Sequence, residues 1–354
     1  MHKKYPFINS ITPDVDDLVQ VLFRRGKRKG LHFLELFLDD EIKDELWERL
    51  DLEAAADDPY NLGKEIILHR ALGYEVFRVP VVRKSMFNVS QNKAGDDRNW
   101  MEEHQGPVRS WEDFESFPWP EVKSLDLGPL DWMEKNVPEG MGCFDLTAHI
   151  FEIVSFLFGF ETLCIKLHDD PPLVEAAAEK VGEFYIDYSK TLADYSCVPL
   201  LWSADDLGFK SSLLVPPDTL RRIVLPWHKK CAEIAHRAGK PYLLHSCGNV
   251  EEIMEDLIED VQIDGKHSFE DEIMPVTEAS RRYGGRIAII GGIDVDFLVR
   301  SEEREIRKRV RETLDVCTKV PGYCFGTGNS VTNYTPVENY LIMLDEAAKY
   351  AGAQ

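Results

Sequence analysis

From residue 31 onward, short apolar runs alternate with longer stretches in which apolar residues return every three or four positions. The first pattern is that of strands, the second that of amphipathic helices. Strands are predicted near 32–37 (HFLELF), 74–82 (YEVFRVPVV), 141–147 (MGCFDLT) and 200–207 (LLWSADDL). Four more fall near 241–247 (PYLLHSC), 262–268 (QIDGKHS), 287–293 (IAIIGGI) and 320–327 (VPGYCFGT). Between them, helices are predicted over 171–196 and 216–238, each opening on proline, a good first-turn residue. Two more are predicted over 301–318, with Ser301 as cap before acids that suit the positive helix end, and over 335–351.

Eight strands with intervening helices make an α/β fold, a (β/α)8 TIM barrel, the leading architecture, with an open doubly wound sheet as the alternative. No glycine-rich dinucleotide fingerprint follows the first strand, which weakens the open-sheet reading. Residues 1–30 read as an N-terminal extension to one barrel domain over 31–354. Residues 84–140 break the rhythm with Trp100, Trp111, Trp119, Trp132 and several prolines. A connection of that length is expected to pack on itself or cover a site, so it reads as an insertion near the barrel mouth.

Barrel chemistry gathers at the carboxyl ends of the strands. The polar residues predicted there are Glu35, Asp145, His149, Asp205, Asp206, His245, Cys247, His267, Asp294 and Cys324. His245 and Cys247 are two apart at a strand end, so they should face the same way. With Cys324 far downstream, they offer two thiolates and an imidazole, the donor set of a zinc site with one open position. Buried histidine and apolar cysteine are the competing bland reading. Glu35, among apolar neighbours, is a candidate fourth contact or proton relay, or else a salt-bridged rim carboxylate. Asp205 and Asp206 are consecutive and should face opposite ways. One is a candidate to orient substrate or a ligand histidine, and the other to cap a turn. His149, His267, Asp294 and Asn329 are candidate substrate contacts. Gly326 and Gly328 are expected to permit positive φ and close approach.

Composition narrows the partners. The 354 residues carry a formal charge of −22, with basic residues concentrated only in 24–29, which argues against nucleic acid. Seven cysteines without framework spacing fit a reducing compartment. No stretch approaches the ~18 apolar residues of a membrane span, and the N-terminus has no apolar signal run. A cytoplasmic protein without membrane association is the expectation.

His-Ser-Cys-Gly-Asn at 245–249 and Gly-Thr-Gly-Asn-Ser at 326–330 resemble the uroporphyrinogen decarboxylase superfamily, most closely its zinc-dependent methyltransferase branch. That branch includes the methylcobalamin:coenzyme M methyltransferases. Asp205-Asp-Leu-Gly208, Gly291-Gly-Ile-Asp294 and Thr335-Pro-Val-Glu-Asn-Tyr340 carry the same resemblance, which spans roughly residues 31–350. It implies a TIM barrel, with His245, Cys247 and Cys324 as zinc ligands.

The resemblance also implies methyl transfer between a corrinoid and a small thiol or a methylated, methoxy-type compound. The chain has no Asp-X-His-X-X-Gly corrinoid motif, so the corrinoid is expected on a partner protein. Zinc would acidify a substrate thiol or polarise the heteroatom of a methyl donor. Two alternatives stand beside this. One is metal-free decarboxylation of a tetrapyrrole, against which the arginine-free stretch 31–38 counts. The other is a barrel kept as a metal-binding or docking module.

Overall fold

The apolar runs fold as the staves of a closed parallel barrel in a computed structural model that describes residues 5–26, 29–52, 58–87 and 106–352. The strands are β1 (His32–Phe33), β2 (Val76–Arg78), β3 (Gly142–Phe144), β4 (Leu146–Thr147), β5 (Leu201–Ala204), β6 (Tyr242–His245), β7 (Gly265–His267), β8 (Ala288–Ile290) and β9 (Tyr323–Phe325). Seven pair in parallel in the order β1-β9-β8-β7-β6-β5-β4, and β2 pairs with β3. A parallel bridge from Phe33 to Tyr74 joins β1 to the residues before β2. β3 and β4 are one stave interrupted at Asp145. Every predicted strand is thus present, eight staves in all, and the open sheet is excluded.

The ladders are shorter than the apolar runs, because the chain stays extended and buried past its last paired residue. Alternation then sorts each stave. Leu34, Val76, Phe144, Trp202, Leu243, Ile290 and Cys324 belong to a cluster inside the barrel. Tyr242, Leu244, Ile289, Tyr323 and Phe325 join the larger core between strands and helices. A TIM barrel is filled in this way, by layers of inward side chains.

The helix Val15–Leu22 adds Leu18, Val21 and Leu22 to the interior cluster. The segment read as an extension therefore packs as the barrel's floor. Beside it, His32 donates or accepts on both ring nitrogens, 2.8 Å from Glu75 Oε1 and 2.9 Å from Asp17 Oδ2. These three side chains are buried; burial lowers the imidazole pKa, and the two carboxylates outweigh it and leave it above its ordinary value.

The long predicted helices form as Pro171–Asp194, Glu303–Cys317 and Val337–Gly352. The 216–238 helix is two, Pro217–Ile223 and Leu225–Arg237, since Pro226 at the first turn of the second cannot donate a hydrogen bond. The cap of Glu303–Cys317 is Glu302 rather than Ser301, in a reciprocal capping box with Glu305. Of the 84–140 segment, the described part carries the helices Trp111–Ser116 and Gly128–Asn136. Trp100 lies outside the described residues. No described helix is long and apolar enough to cross a membrane.

Candidate metal centre

At the carboxyl end of β5 the chain turns through Asp205 and Asp206, and at the end of β6 through His245, Ser246 and Cys247. Backbone contact fixes the two turns against each other. Gly248 sits at φ +79°, and a Cβ there would lie 2.1 Å from the Gly208 carbonyl carbon. Asn249 N donates to Phe209 O at 2.7 Å, and Leu207 N to Ser246 Oγ at 3.1 Å.

This juxtaposition brings Asp206, His245 and Cys247 together, with one ligand atom of each within 4.8 Å of the others. His245 Nε2 lies 3.4 Å from Cys247 Sγ and 3.6 Å from Asp206 Oδ1. Cys247 N donates to Asp206 Oδ1 at 2.9 Å. Asn329 Nδ2 donates to Cys247 Sγ at 3.3 Å. His245 is buried, whereas the Asp206 side chain is 41% exposed, so the cluster opens at the carboxylate.

The partners of the two imidazoles assign their tautomers. His267 Nε2 lies 3.2 Å from the Thr327 carbonyl, which can only accept, so this nitrogen carries the proton. Burial, followed by the charge that His245 would carry if protonated, pushes the His267 pKa well below the ordinary imidazole value and keeps the ring neutral. Its Nδ1 must then accept from His245 Nδ1, 2.8 Å away. The proton of His245 is thereby held on Nδ1, and the Nε2 lone pair faces Cys247 and Asp206. Trp202 packs edge-on to His267, with ring centroids 5.8 Å apart. The Cys247 thiol is pushed upward by burial first and then by the Asp206 charge. A divalent cation would reverse that, since coordination deprotonates a thiol. One imidazole nitrogen, one sulfur and one carboxylate oxygen fit such an ion.

Cys324 is the principal correction. It is absent from the cluster among the described residues, although its side chain does face inward. Its partners in register are Ile290 on β8 and His32 on β1. The side chain is buried in the interior cluster with Leu34, Leu243 and Ile290. Asn329, four residues beyond the end of β9, is the residue of this segment that reaches Cys247.

Glu35 is also not among the clustered donors. Its Oε1 accepts from Thr327 N at 2.9 Å, and its Oε2 is 2.6 Å from Thr327 Oγ1. The same hydroxyl is 2.5 Å from the Asn329 carbonyl, and one proton cannot serve both oxygens. Burial raises the Glu35 pKa to about 8. A protonated Glu35 donating to Thr327, which in turn donates to Asn329, satisfies every atom. Glu35 therefore braces the loop that carries Asn329.

Asp205 faces away from Asp206. It accepts from Phe151 N and Glu152 N at 3.0 and 2.9 Å, capping the helix Ile150–Phe158, and meets His228 Nε2 at 2.9 Å. With Ser203 Oγ 3.3 Å from His228 Nδ1, the arrangement has the composition of a hydrolytic triad. All three side chains are buried, so it is structural. His149 pairs with Glu152 at 3.0 Å. Asp294 uses both oxygens on backbone, accepting from Asp271 N and Phe297 N at 2.9 Å each. These three residues are tied to caps and turns. Gly326 and Gly328 give close approach without positive φ: added Cβ atoms would lie 2.3 and 2.1 Å from the Leu34 and Phe269 carbonyl oxygens.

Sequence reading overlooked Arg78. It shares the β2 face of inward Val76, and Asp145 Oδ1 accepts from its Nε at 3.2 Å. Its guanidinium lies 5.5 Å from the Phe37 ring centroid. An arginine ending a barrel strand was the available signal.

The family model for uroporphyrinogen decarboxylase (URO-D) matches residues 136–350. The chain belongs to that family. A uroporphyrinogen decarboxylase of Cupriavidus pinatubonensis is 34% identical over 79 residues, 22% of each chain. One from Paraburkholderia phytofirmans is 32% identical over 78 residues, 22% of this chain and 21% of that protein. The matched stretch thus spans about a fifth of these relatives' length. In fold, a methyltransferase from Methanosarcina mazei superposes with a TM-score of 0.71 at 16% identity, covering 96% of this chain and 99% of that one.

Proposed function

We propose that this protein is a zinc-dependent methyltransferase. Its methyl group moves between a corrinoid carried on a partner protein and a small thiol or methoxy-type substrate at the barrel mouth. The observation that carries the reading is the cluster of Asp206, His245 and Cys247, with the His245 lone pair held toward the other two donors. In this reading those three residues are the ligands, and the carboxylate takes the part expected of Cys324. Zinc held there supplies a Lewis acid that acidifies a thiol or polarises the heteroatom carrying a methyl group.

The chain's own residues do the rest. His267 fixes the donor nitrogen of His245, and Asn329 donates to the sulfur, favouring its anionic form. Glu35 and Thr327 hold Asn329 in place. The family match and the methyltransferase of like fold support this reading at the level of fold and family.

The test is elemental analysis of protein purified without added metal, followed by methyl transfer with methylcobalamin and cob(I)alamin. About one zinc per chain, lost in Cys247→Ser with the fold intact, and corrinoid-dependent turnover are the expected outcomes. Metal-free protein that releases carbon dioxide from uroporphyrinogen would replace this reading with decarboxylation. The names of the curated relatives favour that second activity. The arginine-free stretch 31–38 weighs against it.

A further inference from the structure

A separate pocket lies behind the barrel wall, outside β7. On this strand Gly265 and His267 face the interior, Gly265 against Leu243 and Ile290, and His267 against Trp202. Lys266 between them points the other way, into a pocket that opens to solvent and spans about 410 Å³ with its open mouth included. Met254, Phe269, Ile273, Met274 and Tyr283 make most of the remaining lining apolar.

Lys266 is only 5% exposed. Its Nζ donates to Ser268 O at 2.8 Å and to Ser246 O at 3.4 Å, and lies 4.8 Å from the Phe269 ring centroid. Two of its three protons are thus used. Among the described residues its hydrogen-bond acceptors are these two carbonyls, and no carboxylate lies within ion-pair distance. The charges of Asp206 and Glu270 act on it from beyond ion-pair distance and offset only part of its desolvation. Burial accordingly lowers its pKa to about 8. Half-buried Glu270 also lines the pocket and would repel a second negative charge on a ligand.

We infer that this pocket binds a small organic monoanion, a carboxylate with an aromatic or branched aliphatic body, its charge on Lys266 and its body against the methionines, Phe269 and Ile273. The pocket adjoins the metal cluster, since Lys266 Nζ reaches the carbonyl of Ser246 between His245 and Cys247, but none of the three proposed ligands lines it. The two share the loop at Gly248 and Asn249 that follows Cys247.

Calorimetric titration of the full chain with benzoate, and with neutral benzamide as its isostere, tests the inference. Saturable binding of one benzoate per chain is expected, with benzamide and the variant Lys266→Met each weaker by about tenfold or more. Ile273→Trp fills the pocket from a half-buried wall position and should weaken binding even if Lys266→Met fails to fold. Binding should survive in Cys247→Ser. Absence of saturable benzoate binding, equal affinity for benzamide, or loss in Cys247→Ser with retention in Lys266→Met would each overturn the site.

Discussion

His267 touches neither Cys247 nor the cluster opening, yet it determines which nitrogen of His245 is left for a metal. A residue in that place must accept at one end and donate to Thr327 at the other. Replacing it by leucine frees His245 to turn its proton toward the cluster. Metal affinity should fall about 10–100-fold, and glutamine, which can do both tasks, should restore much of it. Competition with a chelating dye reads this directly. Cys324→Ala should leave metal content unchanged and cost about 1–2 kcal/mol of stability through the small cavity it opens. Zinc loss in that variant would reinstate the sulfur as a ligand. The pair at 245 and 247 was legible from sequence because strand alternation is local. The absence of Cys324 from the cluster was not, because it depends on how β9 registers against β1 and β8. Asn329 was visible as a rim residue, but its contact with Cys247 depends on a loop whose path Glu35 and Thr327 set.

At the level of the element, the adjacent aspartates at the end of β5 serve different structures. Asp206→Asn should lose metal while unfolding at nearly the wild-type denaturant concentration. Asp205→Ala should cost about 3 kcal/mol, because it orphans two helix N–H groups and the buried His228. The sequence announced that the two diverge, since neighbours on a strand face opposite ways. It did not announce the helix that Asp205 caps, which begins more than fifty residues earlier. The Gly326–Asn329 loop has its own signature in pH. Glu35 holds a proton in the folded chain up to about pH 8, whereas the unfolded chain releases it near 4.5. Folding therefore takes up a proton between those values. The contribution of Glu35 is fully present below about 4.5 and diminishes as pH rises toward 8. Urea midpoints measured at pH 5 and pH 8 should differ more in the wild type than in Glu35→Gln.

For the whole molecule, the barrel links metal occupancy to folding, because the three donors come from two turns that only the closed structure apposes. An ion at a hundred times its dissociation constant would add about 2.7 kcal/mol. Thermal unfolding with zinc and with chelator should differ in the wild type and in Cys324→Ala, and coincide in Cys247→Ser. The barrel itself was readable end to end from eight apolar runs. Its floor was not, because the segment 1–30 has no strand pattern and its helix earns its place through Leu18, Val21 and Leu22, packed inside the staves.

The close apposition of Gly208 and Gly248 leaves no room for even one methyl group. Substituting alanine at 248 would wedge two neighbouring turns apart and part the carboxylate from the sulfur without altering either. The chemistry of this rim thus hangs on a position that contributes no functional atom, and a survey restricted to reactive side chains would pass over it.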